Sequence, residues 1–377
     1  MTHWHIIPPM VFAAFWLGCG SDTDGGGGSA ANPTTTSTAT GAGGAGPLGA
    51  TCSVVGSDVF TSDATGSTPS LAANGDHYAL TWVNSAGNEV FLAILDENGN
   101  RLTYRSAATG ANLQQPTIYR DGSGYMLLWS ESGAIMSARV NDRGLPIAGG
   151  TIDFANPNVT EPRARGAVSS SGFLSAWDKT TNGALGLFSN DGELIRQVEL
   201  PGSPAFPVPV SDGTSSAVFW SSGATIAFAK LDSSLNLSAP SAIPGQATNK
   251  VATARAGEFY VAWEDVSLGA GSETVFVAVG GASKGVRVPT EGGSANWPAI
   301  TAAGDFIAVA YYQFRDGPPA IYLSLFTPEL TRAGQDLQAS PNGEAARFPS
   351  IAFAGGHFGI AYAQKDGPVK LSLVDCK

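Results

Sequence analysis

One short apolar segment recurs along the 377-residue chain and restricts its fold more than any other feature. It reads Tyr78-Ala79-Leu80-Thr81-Trp82, Tyr125-Met126-Leu127-Leu128-Trp129 and Phe173-Leu174-Ser175-Ala176-Trp177 in the first three copies. Ser216-Ala217-Val218-Phe219-Trp220 and Phe259-Tyr260-Val261-Ala262-Trp263 follow, and two more copies end in Tyr311 and Tyr362. The closing aromatics are 43 to 51 residues apart. A short run that is apolar on both faces and bounded by turn residues reads as a strand buried on both sides. Recurrence at a near-constant period marks a repeat architecture.

The same pieces surround each copy. A short strand comes first, usually opened by proline, as in Pro69-Ser70-Leu71, Pro116-Thr117-Ile118, Pro207-Val208, Pro298-Ala299-Ile300 and Pro349-Ser350-Ile351. A tight turn such as Gly75-Asp76 leads into the aromatic-ended strand. A strictly alternating strand follows, as in Val90-Phe91-Leu92-Ala93-Ile94-Leu95, and then an acidic or amide turn and a more polar fourth strand. Four antiparallel strands grading from apolar to polar describe one blade of a β-propeller. The period-two patterning and the absence of a helical stretch exclude helical solenoids. The expected fold is all-β: a seven-bladed β-propeller of four-stranded antiparallel blades over residues 52–377.

The last repeat supplies only three strands, from Pro349 to Asp375. Its fourth is available at the other end of the repeat region, in Asp58-Val59-Phe60-Thr61. Completing one blade from both termini closes the ring and leaves no dangling edge. Cys52 and Cys376 then both fall where the hairpin between the third and fourth strands would be, so a structural disulfide between them is expected. Such a bond persists in an exported protein.

Residues 1–18 read as an export signal: the apolar run Met10 to Leu17 is too short for a spanning helix. Leu17-Gly18-Cys19 resembles the end of a bacterial lipobox, which implies a lipid anchor on Cys19; an ordinary secretory signal is the alternative. Residues 19–51 are almost wholly Gly, Ser, Thr, Ala, Asn, Asp and Pro, with an unbroken run from Gly25 to Gly28, and such composition cannot bury a core. They read as a tether. Together with the P-x-[IL]-A and F-x-[VI]-A-[WY] rhythm, these features resemble bacterial lipoproteins that carry a propeller-repeat domain. The resemblance covers residues 52–377, implies fold and an envelope location, outer membrane by the absence of an Asp after Cys19, and carries no function.

The net charge of −11 argues against nucleic acid and against electrostatic docking on an anionic membrane, so the only membrane attachment expected is the lipid. No cofactor, no metal and a monomer are expected. The domain's two histidines, His77 and His357, occupy the same turn position of two repeats. Asp96-Glu97-Asn98-Gly99-Asn100 starts like a calcium loop but has no glutamate at the twelfth position, and reads as a hairpin turn. Ligand-facing candidates lie where loops gather on one face of the ring: Glu131, Arg163, Asp178, Glu264, Asp265, Arg315, Asp316 and Arg347. The preferred reading is a binding or scaffolding module for an envelope or extracellular protein or glycan. The alternative is a glycan hydrolase or lyase, which needs an acid/base pair of carboxylates at the channel mouth.

Overall fold

The computed structural model describes residues 49–377, except 123, 133, 148–151, 154–164, 179–182, 190–192, 203, 290 and 316. Cys19, Arg163 and Asp316 therefore lie outside the described residues, as does nearly all of the expected signal and tether.

The described chain is built of antiparallel strands alone. Five sheets have four strands each, and in each the four follow one another in sequence. A representative sheet runs Ala205–Ser211, Ser216–Ser222, Thr225–Leu231 and Ser241–Pro244. The innermost strands are Leu113–Asp121, Arg165–Ser169, Ala205–Ser211, Ala247–Arg255, Ala295–Ala303 and Ala346–Ala354, with the second half of Cys52–Asn74. Each packs against the next and Ala346–Ala354 packs against Cys52–Asn74, so the ring closes on itself. This is a β-propeller of four-stranded blades.

The aromatic-ended strand lies next to the inner strand in every sheet. Trp82, Trp129, Trp220, Trp263, Tyr311 and Tyr362 are at most 1% exposed and Trp177 is 5% exposed, so these rings fill the spaces inside and between sheets. Small residues make room for them. A side chain on Gly66 would come within 2.5 Å of the Trp82 ring, and one on Gly285 within 2.3 Å of Trp263. Full burial of such a ring is worth several kcal/mol, ~3–5 by truncation to alanine.

Seven separate four-stranded sheets are not what the chain forms. Five are separate, and the remaining strands make one seven-stranded sheet ordered Ala346–Ala354, His357–Gln364, Pro368–Cys376, Cys52–Asn74, His77–Asn84, Glu89–Asp96 and Arg101–Thr109. The cause is the 23-residue strand Cys52–Asn74. Its first part pairs with Pro368–Cys376, from Cys52 opposite Cys376 to Thr65 opposite Pro368, and its second part pairs with His77–Asn84 from Gly66 onward. The short strand expected at Asp58–Thr61 is thus part of a much longer one. No loop separates the strand that completes the last repeat from the strand that begins the first.

This seam is fastened in three ways. Cys52 and Cys376 are disulfide-bonded across 324 residues of sequence, as expected. Lys370 Nζ donates to Asp58 Oδ2 at 2.9 Å and to Glu344 Oε2 at 2.7 Å, while the Tyr362 hydroxyl donates to Asp58 Oδ1 at 2.6 Å. Val369 N donates to Ser62 Oγ at 2.9 Å.

Hydroxyls also join neighbouring inner strands, whose channel-facing edges would otherwise show unpaired N–H groups. Leu71 N donates to Ser350 Oγ (2.9 Å), Ile118 N to Ser70 Oγ (3.1 Å) and Gly166 N to the Tyr119 hydroxyl (2.9 Å). Ser70 and Ser350 each follow a proline inside the inner strand. The Pro-Ser rhythm in the sequence therefore marks a cross-blade hydrogen bond; the prolines, expected to open the strands, lie inside them, as Pro349 does in Ala346–Ala354.

Candidate functional site

The inner strands enclose a central cavity of about 580 Å³, reaching from Thr68, Gln115, Asn249 and Trp297 at one end to Ala73, Arg120 and Phe353 at the other. The two ends are built differently. At the second, short turns such as Gly75-Asp76 and Gly304-Asp305 link inner strand to aromatic strand. They brace one another: Gly355 N donates to Gly75 O (3.1 Å), and Gly257 N to Asp212 Oδ2 (2.7 Å).

At the first end, here the proline mouth, six inner strands carry the same irregularity. The pairing with the aromatic strand slips by one residue between Ser67 and Ser70, Gln114 and Thr117, Ala205 and Val208, Thr248 and Val251, Asn296 and Ala299, and Arg347 and Ser350. Inside each slip one non-glycine residue has a left-handed backbone: Thr68, Gln115, Phe206, Asn249, Trp297 and Phe348, with φ between 42° and 55°. All but Asn249 precede proline, whose ring already restricts the residue before it. A bulge of this kind re-aims one side chain, and a bulky residue held at positive φ costs about 1–3 kcal/mol. The fold keeps that strain in six of its inner strands, and four of the six residues, Thr68, Gln115, Asn249 and Trp297, line the cavity at the mouth.

Acids and hydroxyls placed just after the rib aromatics hold these bulges. Asp178 Oδ1 accepts from Phe206 N at 2.7 Å. Glu264 Oε2 accepts from Trp297 N and from Asn249 Nδ2, both at 3.0 Å, and its Oε1 from Thr248 Oγ1 at 3.3 Å. Asp178 and Glu264 each follow their tryptophan directly, and each caps the bulge of the next sheet around the ring. Ser221 occupies the equivalent place after Trp220, where it accepts from Lys250 Nζ at 2.5 Å. Lys250 is fully buried, and its ammonium lies 5.3 Å from the centre of the Phe206 ring.

The nominated residues consequently separate by role. Asp265 is buried and accepts from Gln246 N (3.2 Å), Ser267 N (3.0 Å) and the Trp263 indole (3.3 Å). Glu264 and Asp265, as strand neighbours, point to opposite faces. Arg315 is held by Glu291 (2.5 Å), Gln313 (2.9 Å) and Asp336 (3.5 Å), with its guanidinium 3.8 Å over the Tyr322 ring. Glu131 ends the strand Gly124–Glu131, half-buried against Gly110. Arg347 opens the strand Ala346–Ala354 beside the bulge, and its buried Nε makes no hydrogen bond to any described residue. Among the described candidates the structure brings no carboxylate pair together over the cavity. The turn at Asp96 is a hairpin closed on itself, both aspartate oxygens being engaged by Asn98 and Asn100.

Sequence reasoning passed over the aromatic cluster of Trp297 and Phe348 beside the mouth. Trp297 and Phe348, both half-buried, meet edge to face at 4.8 Å, and Tyr312 lies 6.3 Å from Phe348. Burial and the Glu264 carboxylate push the Tyr312 phenol up, with Arg347 pulling against them, so Tyr312 is a neutral donor at ordinary pH. The available signal was the residue preceding each proline of the inner strands. Its chemistry varies from repeat to repeat while the proline recurs.

No protein-family model and no curated protein matches this chain. Solved structures do. The WD40 domain from Toxoplasma gondii coronin superposes with a TM-score of 0.56 at 13% identity, covering 88% of each chain. BBS1N, solved in complex with ARL6DN, superposes with a TM-score of 0.52 at 13% identity, covering 86% of this chain and 97% of that one. At such identities the likeness is one of fold.

Proposed function

We propose that this chain is a lipid-anchored, envelope-displayed propeller that works as a binding or scaffolding module, with its ligand, a protein or a glycan, seated at the proline mouth. Counted by inner strands the ring is seven-bladed, the seven-stranded sheet being two blades that share Cys52–Asn74. The observation that carries the reading is the row of bulges. Four of the six strained residues, with side chains as different as Thr68, Gln115, Asn249 and Trp297, line one opening. Strained backbone retained at one face is the mark of a ligand clamp rather than of packing. A structure of the same fold solved with a partner bound agrees with a scaffolding role.

Hydrolysis or lyase chemistry is the weaker reading. It needs two carboxylates about 5–10 Å apart beside open space, whereas Asp178 and Glu264 are engaged by the backbone N–H groups of neighbouring sheets. Probing a glycan and peptide array with the full chain, beside a glycosidase screen, tests the two readings together. Ligand retention without turnover supports binding, and turnover abolished in Glu264→Gln supports the enzyme. Mass spectrometry of the mature N-terminus from native membranes tests the anchor, and an unmodified Cys19 there refutes it.

A further inference from the structure

The chemistry of the mouth narrows the ligand. Trp297, Tyr312 and Phe348 form a half-buried aromatic arc on one side of it, in contrast to the rib tryptophans, which are at most 5% exposed. Exposed aromatic faces beside polar side chains suit the C–H face of a sugar ring, with amides and guanidinium groups meeting its hydroxyls. Charge supplies a second constraint. Among the described residues, the charged side chains lining the cavity are Arg165, the buried Lys250 and, at the end away from the mouth, Arg120, with no aspartate or glutamate, in a chain that has 31 acidic and 20 basic residues. Arg347, half-buried next to Phe348, adds a further guanidinium whose Nε has no hydrogen bond to a described residue.

Two other ligand types fit less well. A cationic ligand in an aromatic cage needs an available carboxylate, but Glu264 is only 8% exposed and holds Trp297 N, and Arg347 opposes a second positive charge. An extended peptide adding to the inner strands needs free edge N–H groups, and those of Leu71, Ile118 and Gly166 are already bonded to hydroxyls.

We infer that the proline mouth binds an acidic saccharide, its ring against Trp297 and Phe348 and its carboxylate toward Arg347. This rests on the mouth being the ligand seat. The test titrates the full chain with oligogalacturonate, its methyl ester, sialyllactose and an acidic peptide, read by the emission that Trp297→Phe removes. The expected result is binding of at least one acidic saccharide and roughly tenfold or greater weakening by esterification, as for loss of a charge-assisted hydrogen bond. Arg347→Gln should bring the acid down to the ester's affinity while leaving the ester unchanged. An ester that binds as tightly as the acid overturns the inference, as does failure of both acidic saccharides to bind. If ester or peptide binds instead and Trp297→Gly abolishes it, the mouth stands and the acidic saccharide falls. Binding of any probe untouched by Trp297→Gly removes both.

Discussion

The seam and the proline mouth are two places where the ring departs from plain four-stranded blades, and they do so in opposite senses. The seam adds fastenings: a disulfide, a lysine held between two carboxylates, and hydroxyl bonds reaching across about 300 residues of sequence. The mouth adds strain, one left-handed residue in each of six strands. A ring whose ends meet by pairing alone would open there first, because joining them carries a large loop-closure entropy. The mouth has no such topological burden. Its conformation serves the presentation of side chains, and the polar groups around it serve to hold that conformation.

Removing the disulfide should have the largest effect. In the chain-entropy description a loop of this length contributes about 5 kcal/mol at most, so Cys52→Ser with Cys376→Ser should lower the unfolding midpoint in urea strongly, by several kcal/mol of stability. A midpoint unchanged by the double substitution would show that pairing of Cys52–Asn74 with Pro368–Cys376 closes the ring unaided.

Next comes Lys370→Met, which leaves Asp58 and Glu344 facing each other without their cation and should cost roughly 2–3 kcal/mol, less than for a fully buried pair because both carboxylates are partly exposed. It also has a pH signature. Burial works to lower the pKa of Lys370, but the hydrogen bonds and charges of Glu344 and Asp58 outweigh it and hold the ammonium above its ordinary range. The folded value being raised, this contribution is complete below the unfolded lysine pKa of about 10.4 and is lost as pH rises through the folded value. Wild type should therefore lose stability on the alkaline side more steeply than the methionine variant, and parallel alkaline limbs would show that the latch contributes nothing.

At the mouth the effects on stability should be smaller and those on binding larger. Glu264→Gln keeps one acceptor for Trp297 N but loses its charge, at a cost of about 1 kcal/mol, and should loosen the indole visibly in its emission spectrum. Trp297→Gly removes the ring's contact with Phe348 and at the same time relieves a positive φ that glycine adopts freely. The two should nearly cancel, leaving stability within about 1 kcal/mol of wild type while ligand retention on the array is lost. A large destabilisation would reassign Trp297 from presentation to packing.

Much of this architecture is legible in the sequence because its causes are local and periodic. Burial on both faces forces the Tyr78–Trp82 pattern to be apolar throughout, so each rib declares itself. The expected cysteine pair follows from where the repeat begins and ends. Less legible was the extent of Cys52–Asn74: the boundary between its two roles falls at Gly66, where a side chain would meet the Trp82 ring. The nominated acids were read by type and position alone. What sequence could not show is that the carboxylates of Asp178 and Glu264 accept from backbone N–H groups on neighbouring sheets, 28 or more residues away along the chain.

Composition and period by themselves determined the strand content, the repeat, the buried aromatic rib and the closure by two cysteines, all consequences of hydrophobic burial acting along the chain. Tertiary structure alone decided that one strand serves both ends of the ring. It also decided that Thr68, Gln115, Asn249 and Trp297 line a common opening, and that the acids behind two of the bulges hold backbone. Those outcomes depend on which groups of different blades come within hydrogen-bond distance, and a bulge of one residue changes that without changing the pattern of apolar and polar positions.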